Sequence, residues 1–180
     1  MDQKNFLTTD STGLVKLWSL GYEKSISSVQ LESGVTATEY FSDRIYFGLF
    51  DGRVLSCGKD LDNIELFDET EASDFSISSM AGVGDVIYTV SSTSSDLKLF
   101  NPGKKTQQLC TAIGGDPVVK NIKTMNDKQN YAVLFSNGRF QIKNVLTNKT
   151  KIDVPNCQDF EGAVAKYRGV FSVWPHFLIR

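Results

Sequence analysis

The residue types that most often carry catalysis are sparse in this sequence of 180 residues. His176 is the single histidine and lies in an aromatic stretch near the C-terminus, so a Ser-His or Cys-His pair would depend on it alone. We interpret His176 as a packing or surface residue. No Ser-His-Asp, metal-ligand or phosphate-loop pattern is present, so the sequence predicts a protein with no catalytic residues, no metal and no cofactor.

The cysteines and acidic residues do not form a metal-site pattern. The three cysteines are Cys57, Cys110 and Cys157. Their odd number, wide spacing and lack of a C-x-x-C pair argue against disulfides and zinc, and predict buried or half-buried free thiols. Residues 60–74 offer carboxylates at some positions of a calcium loop, but Ile64 and Glu65 stand where that loop needs a ligand and a glycine. We expect a solvated acidic edge there.

The overall charge and hydropathy exclude two classes of partner. A net charge of -2 and a pI near 5.4 give no basic footprint for a phosphate backbone, so nucleic-acid binding is not expected. Lysines at 104, 105, 120, 123 and 128 are interspersed with acids and amides, as on an ordinary solvated surface. The longest apolar runs, "DVIYTV" and "YAVLF", are about a third of the roughly 20 residues that a membrane span needs. The start "MDQKNFLTTD" has no signal-peptide pattern, which predicts a cytoplasmic or nuclear protein.

Short apolar alternations between Gly, Asn, Asp and Ser clusters predict an all-β chain. Residues 6–9 and 14–18 form a predicted pair of strands joined by the turn "DSTG". The same unit recurs in "RIYFGLFDGRVLSC", "DVIYTVSSTSSDLKLF" and "YAVLFSNGRFQIK". Asp51-Gly52 and Asn137-Gly138 are the dipeptides that tight hairpin turns prefer, because both residue types tolerate positive φ.

The strand pairs repeat at a regular interval. Counting five residues from the turn position of each pair reaches Trp18, Cys57, Phe100 and Lys143. These positions are 39, 43 and 43 residues apart, the period of a propeller blade. Inner strands are predicted in "GVTATEYF", "FSISSM" and "PVVKNIKTM", and outer strands in "SISSVQL", "NIELF", "TQQLC" and "TKIDV". Each complete unit therefore has four strands.

The repeat predicts one partial β-propeller domain over residues 1–180 with about four four-stranded blades. The blade units are residues 1–31, 35–68, 75–111 and 117–155, followed by a further strand region at 159–180. The first unit lacks its inner strand. Since a partial propeller leaves sheet edges uncovered, we expect either a piece of a larger propeller or self-association that completes the ring.

Two stretches resemble known repeats. "GLVKLWSLGYEKSI" looks like a WD-repeat strand, and the chain from "IGGDPVVKNIKTM" to "VFSVWP" resembles the last blades of the WD-repeat activators of ubiquitin-specific proteases. The matching features, in order, are Gly114-Gly115, Met125-Asn126-Asp127-Lys128, Asp159-Phe160-Glu161 and a Val-aromatic-x-Val stretch with Pro175. The resemblance covers nearly the whole chain and implies the second half of that family's propeller.

The resemblance implies a non-catalytic interaction module that binds a ubiquitin-specific protease through the propeller rim and raises its activity. It places the candidate contacts at Thr36, Phe50, Asp51 and Arg53. Thr36 stands where the family has a bulky aromatic, Phe50 stands where it is basic, and the Gly-His and Trp-Asp dipeptides of regular repeats are absent. The alternative hypothesis is a propeller scaffold subunit of another multiprotein assembly, because fold does not determine function.

Overall fold

The computed structural model describes residues 4–67, 76–91, 97–102, 106–110, 118–125, 127, 129–155, 171–173 and 177–179. Within these ranges every regular element is a β-strand. No helix there is long and apolar enough to cross a membrane. The all-β class expected from the sequence is confirmed.

The strands form four sheets of three or four antiparallel strands and one strand pair. Sheet A contains β1 (Asn5–Thr9), β2 (Leu14–Ser19) and β3 (Ser27–Gln30). Sheet B contains β4 (Val35–Phe41), β5 (Arg44–Leu49), β6 (Val54–Gly58) and β7 (Glu65–Leu66). Sheet C contains β8 (Ile77–Val83), β9 (Val86–Ser91), β10 (Leu97–Asn101) and β11 (Thr106–Cys110). Sheet D contains β12 (Val119–Thr124), β13 (Asn130–Phe135), β14 (Phe140–Asn144) and β15 (Thr150–Val154), and the separate pair is β16 (Phe171–Val173) with β17 (Phe177–Ile179).

The same tight turn joins the corresponding strands of sheets A, B and D. Gly13, Gly52 and Gly138 have φ values of 89°, 83° and 83°, a region that only glycine adopts without strain. Each donates its N–H to the carbonyl three residues earlier, at 3.2, 3.1 and 3.1 Å. The four positions that marked the repeat in the sequence are each the next-to-last residue of a strand: β2, β6, β10 and β14.

Hydrophobic clusters lie between successive sheets. Sheets A and B bury Val15, Leu17, Ile45, Phe47 and Leu49, among others, between their faces. Tyr46, Val54, Ile77, Met80 and Ile87 fill the space between sheets B and C. Tyr88, Val90, Ile122, Tyr131 and Phe135 belong to the cluster between sheets C and D. Because β5 is buried on both faces, its side chains alternate between two clusters, and the sheets stack in chain order.

The first strands of sheets B, C and D lie side by side and are joined by hydrogen bonds. Thr36 Oγ1 donates to Ile77 O at 2.5 Å, and Thr124 Oγ1 donates to Gly82 O at 2.7 Å. The second strand of sheet B also approaches sheet C closely, since a Cβ on Gly48 of β5 would lie 2.5 Å from Ile77 Cγ2. The partners are 41 and 42 residues apart, so the period of the sequence is also the period of the contacts between sheets.

Each of these three strands carries a β-bulge just after its first residue. The register shifts fall between Val35 and Ala37, between Ile77 and Ser79, and between Val119 and Asn121. The extra residues are Thr36, Ser78 and Lys120. Because a bulge re-aims the side chains around it, these positions line a common groove.

Candidate functional site

Phe50 is the most exposed large side chain among the four predicted contact residues. It follows β5 in the turn of residues 50–53, and 70% of its surface is accessible. Its backbone is nevertheless fixed, since its N–H donates to Gly34 O at 2.8 Å. The turn therefore presents an aromatic ring to solvent from an ordered backbone.

Asp51 and Arg53 hold this turn in place. Asp51 Oδ1 accepts a hydrogen bond from Arg53 N at 3.1 Å, and Oδ2 accepts one from Arg53 Nε at 2.9 Å. Arg53 Nη1 also pairs with Glu32 Oε2 at 3.0 Å, which ties the turn to the segment between β3 and β4. Burial alone would raise the pKa of Asp51, but the hydrogen bonds from Arg53 outweigh it and lower that pKa. The carboxylate therefore stays ionised and the bracing contact persists at neutral pH.

Thr36 lies at the same end of sheet B but turns away from Phe50. Besides the bond to Ile77 O, its hydroxyl lies 3.0 Å from Gly48 O, so it joins sheet B to sheet C. The neighbouring Val35 N–H donates to Asp10 O at 3.2 Å, which brings the β1–β2 turn to this end as well. We call residues 10–13, 34–36 and 50–53 the turn face.

The structure thus places the four predicted contact residues at one end of sheet B in three different roles. Phe50 is available for contact, Asp51 and Arg53 brace its turn, and Thr36 faces the groove between the first strands. Glu32 completes the bracing and was not expected from the sequence. It lies 21 residues from Arg53, and no local pattern indicates the pair.

A polar groove opens beside the turn face. It has a volume of about 410 Å³ and lies between β4, β8 and β12, with Thr9 of β1 at its margin. Its polar lining includes Thr36, Thr38, Ser78, Ser79 and Asn121, and its charged lining is Lys120 and Lys123. The two lysines were interpreted from the sequence as ordinary surface residues. They are exposed, but they share a concave surface.

Glu39 is the carboxylate that interacts with one of these lysines. Its Oε1 accepts a hydrogen bond from Gly82 N at 3.1 Å. Burial raises the pKa of Glu39, while the Gly82 N–H and the charge of Lys123 oppose that rise. The hydrogen bond between Glu39 and Gly82 therefore joins sheet B to sheet C.

The cysteine prediction can be assessed at one position. Cys57 is a free thiol and is buried, as expected. Burial raises its pKa to about 11, which leaves little thiolate at neutral pH. Among the described residues, no group of three or more His, Cys, Asp and Glu side chains could hold a metal ion.

Several predicted features lie outside the described residues. They are Cys157, His176, Gly114-Gly115, Asn126, Lys128, Asp159-Phe160-Glu161, Pro175, Lys104, Lys105 and the acidic positions 68–74. The β11 backbone is described at Cys110, but its side chain is not.

Comparison with known proteins gives a structural likeness only. No family model matches the chain, and no curated protein matches it. Among solved structures, 1134 chains match. One is the computationally designed Ika8 protein, with a TM-score of 0.67 and 14% identity over 88% of this chain and 48% of that one.

The comparison concerns the fold alone at this level of identity. The chain spans about half the length of the designed protein that it matches. Since unrelated functions share folds, function has to be argued from the turn face and the groove.

Proposed function

We propose that this chain is part of a WD-repeat β-propeller and acts as a non-catalytic interaction module that binds and activates a ubiquitin-specific protease. The propeller is supported by the repeat of about 43 residues, the stacking of sheets in chain order and the adjacent first strands of sheets B, C and D. The protease as partner is supported by the resemblance of the sequence.

The observation that carries a binding role is the exposure of Phe50 on a braced turn. Aromatic side chains dominate the binding energy of many protein interfaces, and a fixed backbone reduces the entropy lost on binding. Phe50 combines 70% exposure with a backbone hydrogen bond and the Asp51–Arg53–Glu32 contacts beside it. This makes the turn face the proposed protease contact.

Activation would follow from unequal binding to two protease conformations. If the turn face binds the conformation with an aligned active site more tightly, binding shifts the population toward it. The increase in activity is limited by the ratio of the two affinities. The chain itself would supply no catalytic group.

The test measures hydrolysis of a fluorogenic ubiquitin substrate by a panel of ubiquitin-specific proteases, with and without the purified chain. We expect at least one protease to bind and to turn over faster. Phe50→Ala should weaken that binding about tenfold or more, as for an aromatic anchor. Leu146→Ala is the control, because Leu146 is 92% exposed in the β14–β15 turn at the other end of the strands.

Absence of both binding and activation across the panel would contradict the protease proposal. Affinity capture would then test the alternative of a scaffold in another assembly, in which recurrent non-protease partners are expected. If Phe50→Ala binds an activated protease with unchanged affinity, the proposal of an activating module stands, but the turn face is rejected as its contact surface.

We further propose that the chain self-associates to complete the ring. Sheet A has three strands where sheets B, C and D have four, and β1 pairs only with β2 among the described strands. An edge strand of this kind is open to pairing with another strand. Light scattering should give a mass near twice 20.0 kDa, and a monomer at all concentrations would reject self-association.

A further inference from the structure

The groove between the first strands has the size of a small-ligand site. Its volume of about 410 Å³ falls within the range of roughly 300 to 1,000 Å³ that is typical of ligand pockets. It is built on strands of three successive sheets, so its walls are held by the cores between them. This site is distinct from the turn of Phe50, which does not line it.

The bulge in β12 brings its polar side chains to one side. In a regular strand, side chains three residues apart point to opposite faces. The register shift between Val119 and Asn121 changes this alternation, and Lys120, Asn121 and Lys123 all line the groove. The two lysines therefore line one concave surface.

Asn121 and the two lysines supply hydrogen-bond donors to the groove. Asn121 Oδ1 lies 3.2 Å from Ser79 Oγ, within hydrogen-bond distance, so the amide nitrogen is the end of Asn121 that is left for a ligand. The Thr36 and Ser78 hydroxyls are already used for Ile77 O and Val90 O. The groove therefore offers donors from Asn121 and the two lysines.

The lysine charges are only partly compensated. In the described part of the chain no carboxylate belongs to the lining of the groove, and none forms an ion pair with Lys120. Glu39 interacts electrostatically with Lys123, but its carboxylate is also engaged by Gly82 N–H. The described lining of the groove thus contains two positively charged side chains and no negatively charged one, in a protein whose net charge is -2.

We propose that this groove binds a small polyanion of the polyphosphate type. Each of the two lysines can contact a phosphate group as a point charge. No arginine lines the groove in the described residues, so planar bidentate recognition of a carboxylate or a phosphate is not available there. The lysines are three positions apart on an extended strand, so a ligand with two or more anionic groups can contact both.

The test titrates inorganic tripolyphosphate into the full chain by calorimetry at low ionic strength, where exposed charges are least screened. We expect saturable binding with one site per chain. Lys120→Gln and Lys123→Gln should each weaken it roughly three- to tenfold, and the double variant should weaken it further. Lys149→Gln is the matched control, because Lys149 is exposed in the β14–β15 turn and does not line the groove.

Three results would overturn the proposal. The first is no saturable binding of tripolyphosphate by the folded wild-type chain. The second is an equal loss of affinity in Lys149→Gln, which would show only nonspecific charge attraction. The third is tighter binding of an acidic pentapeptide than of tripolyphosphate, which would assign the groove to a protein segment. Far-ultraviolet circular dichroism of each variant verifies that a weaker signal is not caused by unfolding.

Discussion

Ser79 Oγ lies 3.1 Å from Ile122 O and 3.2 Å from Ile122 N, so one side chain on β8 meets both backbone groups of a residue on β12. The hydroxyl accepts from the Ile122 N–H, and its own hydrogen can be donated to Ile122 O or to Asn121 Oδ1. Both residues are buried. The Ser79 side chain thus binds the backbone of the neighbouring sheet as a paired strand would. This contact positions sheet D against sheet C.

Removing this hydroxyl should destabilise the fold measurably. In Ser79→Ala the buried N–H of Ile122 loses its acceptor, and either Ile122 O or Asn121 Oδ1 loses a donor, which costs about 1–3 kcal/mol. Urea unfolding followed by tryptophan fluorescence measures the change. Ser78→Ala is the neighbouring control: its hydroxyl makes one bond, to Val90 O within sheet C, and a smaller loss is expected. Equal losses in the two variants would contradict a special role for the contact between sheets.

Glu39 should make stability fall as pH rises above 4.5. Burial raises the folded-state pKa above its ordinary value of 4.5, so the folded protein holds a proton that the unfolded chain has released. Between 4.5 and the folded pKa, each rise in pH therefore favours unfolding. Glu39→Gln keeps an acceptor for Gly82 N–H but cannot ionise. We expect this variant to gain stability relative to wild type as pH rises through that window.

Asp153 should give the opposite dependence of stability on pH. The guanidinium of Arg139 lowers the pKa of Asp153, so stability from this pair is present above the ordinary value of 3.8 and is lost as pH falls. Asp153→Asn should therefore differ from wild type in the opposite direction and at lower pH. Urea unfolding from pH 3 to 7 compares both variants with wild type. A difference between wild type and Glu39→Gln that does not vary with pH would reject the pKa argument.

The strands and tight turns could be predicted because their signals are local. Gly13, Gly52 and Gly138 mark turns by residue type, and the alternation beside them gives the strands. The groove and the bracing of the turn could not be predicted, since Ser79 meets Ile122 across 43 residues and Arg53 meets Glu32 across 21. No periodicity within a strand indicates which side chain reaches the next sheet.

Lys120 and Lys123 were interpreted as surface residues because acids and amides are interspersed with the lysines, and this interpretation did not include the bulge that brings both into one groove. Strict alternation predicts opposite faces for residues three apart, and the sequence shows no separate sign of the shift after Val119. The same register shift follows Val35 and Ile77, at the corresponding places in the repeat. Once one bulge is known, the repeat therefore predicts the positions of the other two.

A side chain at Gly48 should force sheets B and C apart. A Cβ there would lie 2.5 Å from Ile77 Cγ2 and 3.0 Å from Met80 Sδ, inside a buried cluster. Gly48→Ala should cost about 1–3 kcal/mol through overpacking. Gly21→Ala separates the causes, because its Cβ would meet nothing within 4 Å and only its φ of +90° is strained. Thermal unfolding measures both; a harmless Gly48→Ala would contradict the close approach of the sheets.

Cys57 should be protected from alkylation in the folded protein. Its pKa of about 11, against an ordinary 9.0, lowers the thiolate fraction at pH 8 about 100-fold, and burial blocks the reagent as well. In Cys110→Ser/Cys157→Ser the remaining thiol is Cys57. Mass spectrometry after iodoacetamide treatment should show labelling in urea and almost none without it. Rapid labelling of the folded variant would show that Cys57 is accessible.

Replacing Lys143 by an apolar residue should increase the stability of the protein. It is 5% exposed and occupies the position that corresponds to Trp18 and Cys57 in the other sheets. Burial and the charge of Arg139 lower its pKa, and the charge of Asp153 only partly opposes them. Between the folded value and 10.5 the folded protein therefore binds fewer protons than the unfolded chain. The free energy of unfolding therefore rises with pH through that window. Below the folded-state pKa, the full cost of burying the charged lysine is present.

Lys143→Met should consequently stabilise the protein at pH 7 by about 1 kcal/mol, because the lowered pKa indicates that the surroundings of Lys143 disfavour its charged form and methionine has a similar length. The gain should shrink as pH approaches 10.5, since the wild-type lysine then becomes neutral. Urea unfolding at pH 7 and pH 10 measures the difference, and Lys151→Met, on the exposed side of β15, is the control without an expected gain. A less stable Lys143→Met at pH 7 would mean that the contacts of the lysine outweigh the cost of burying its charge, and that sheet D depends on this departure from the repeat.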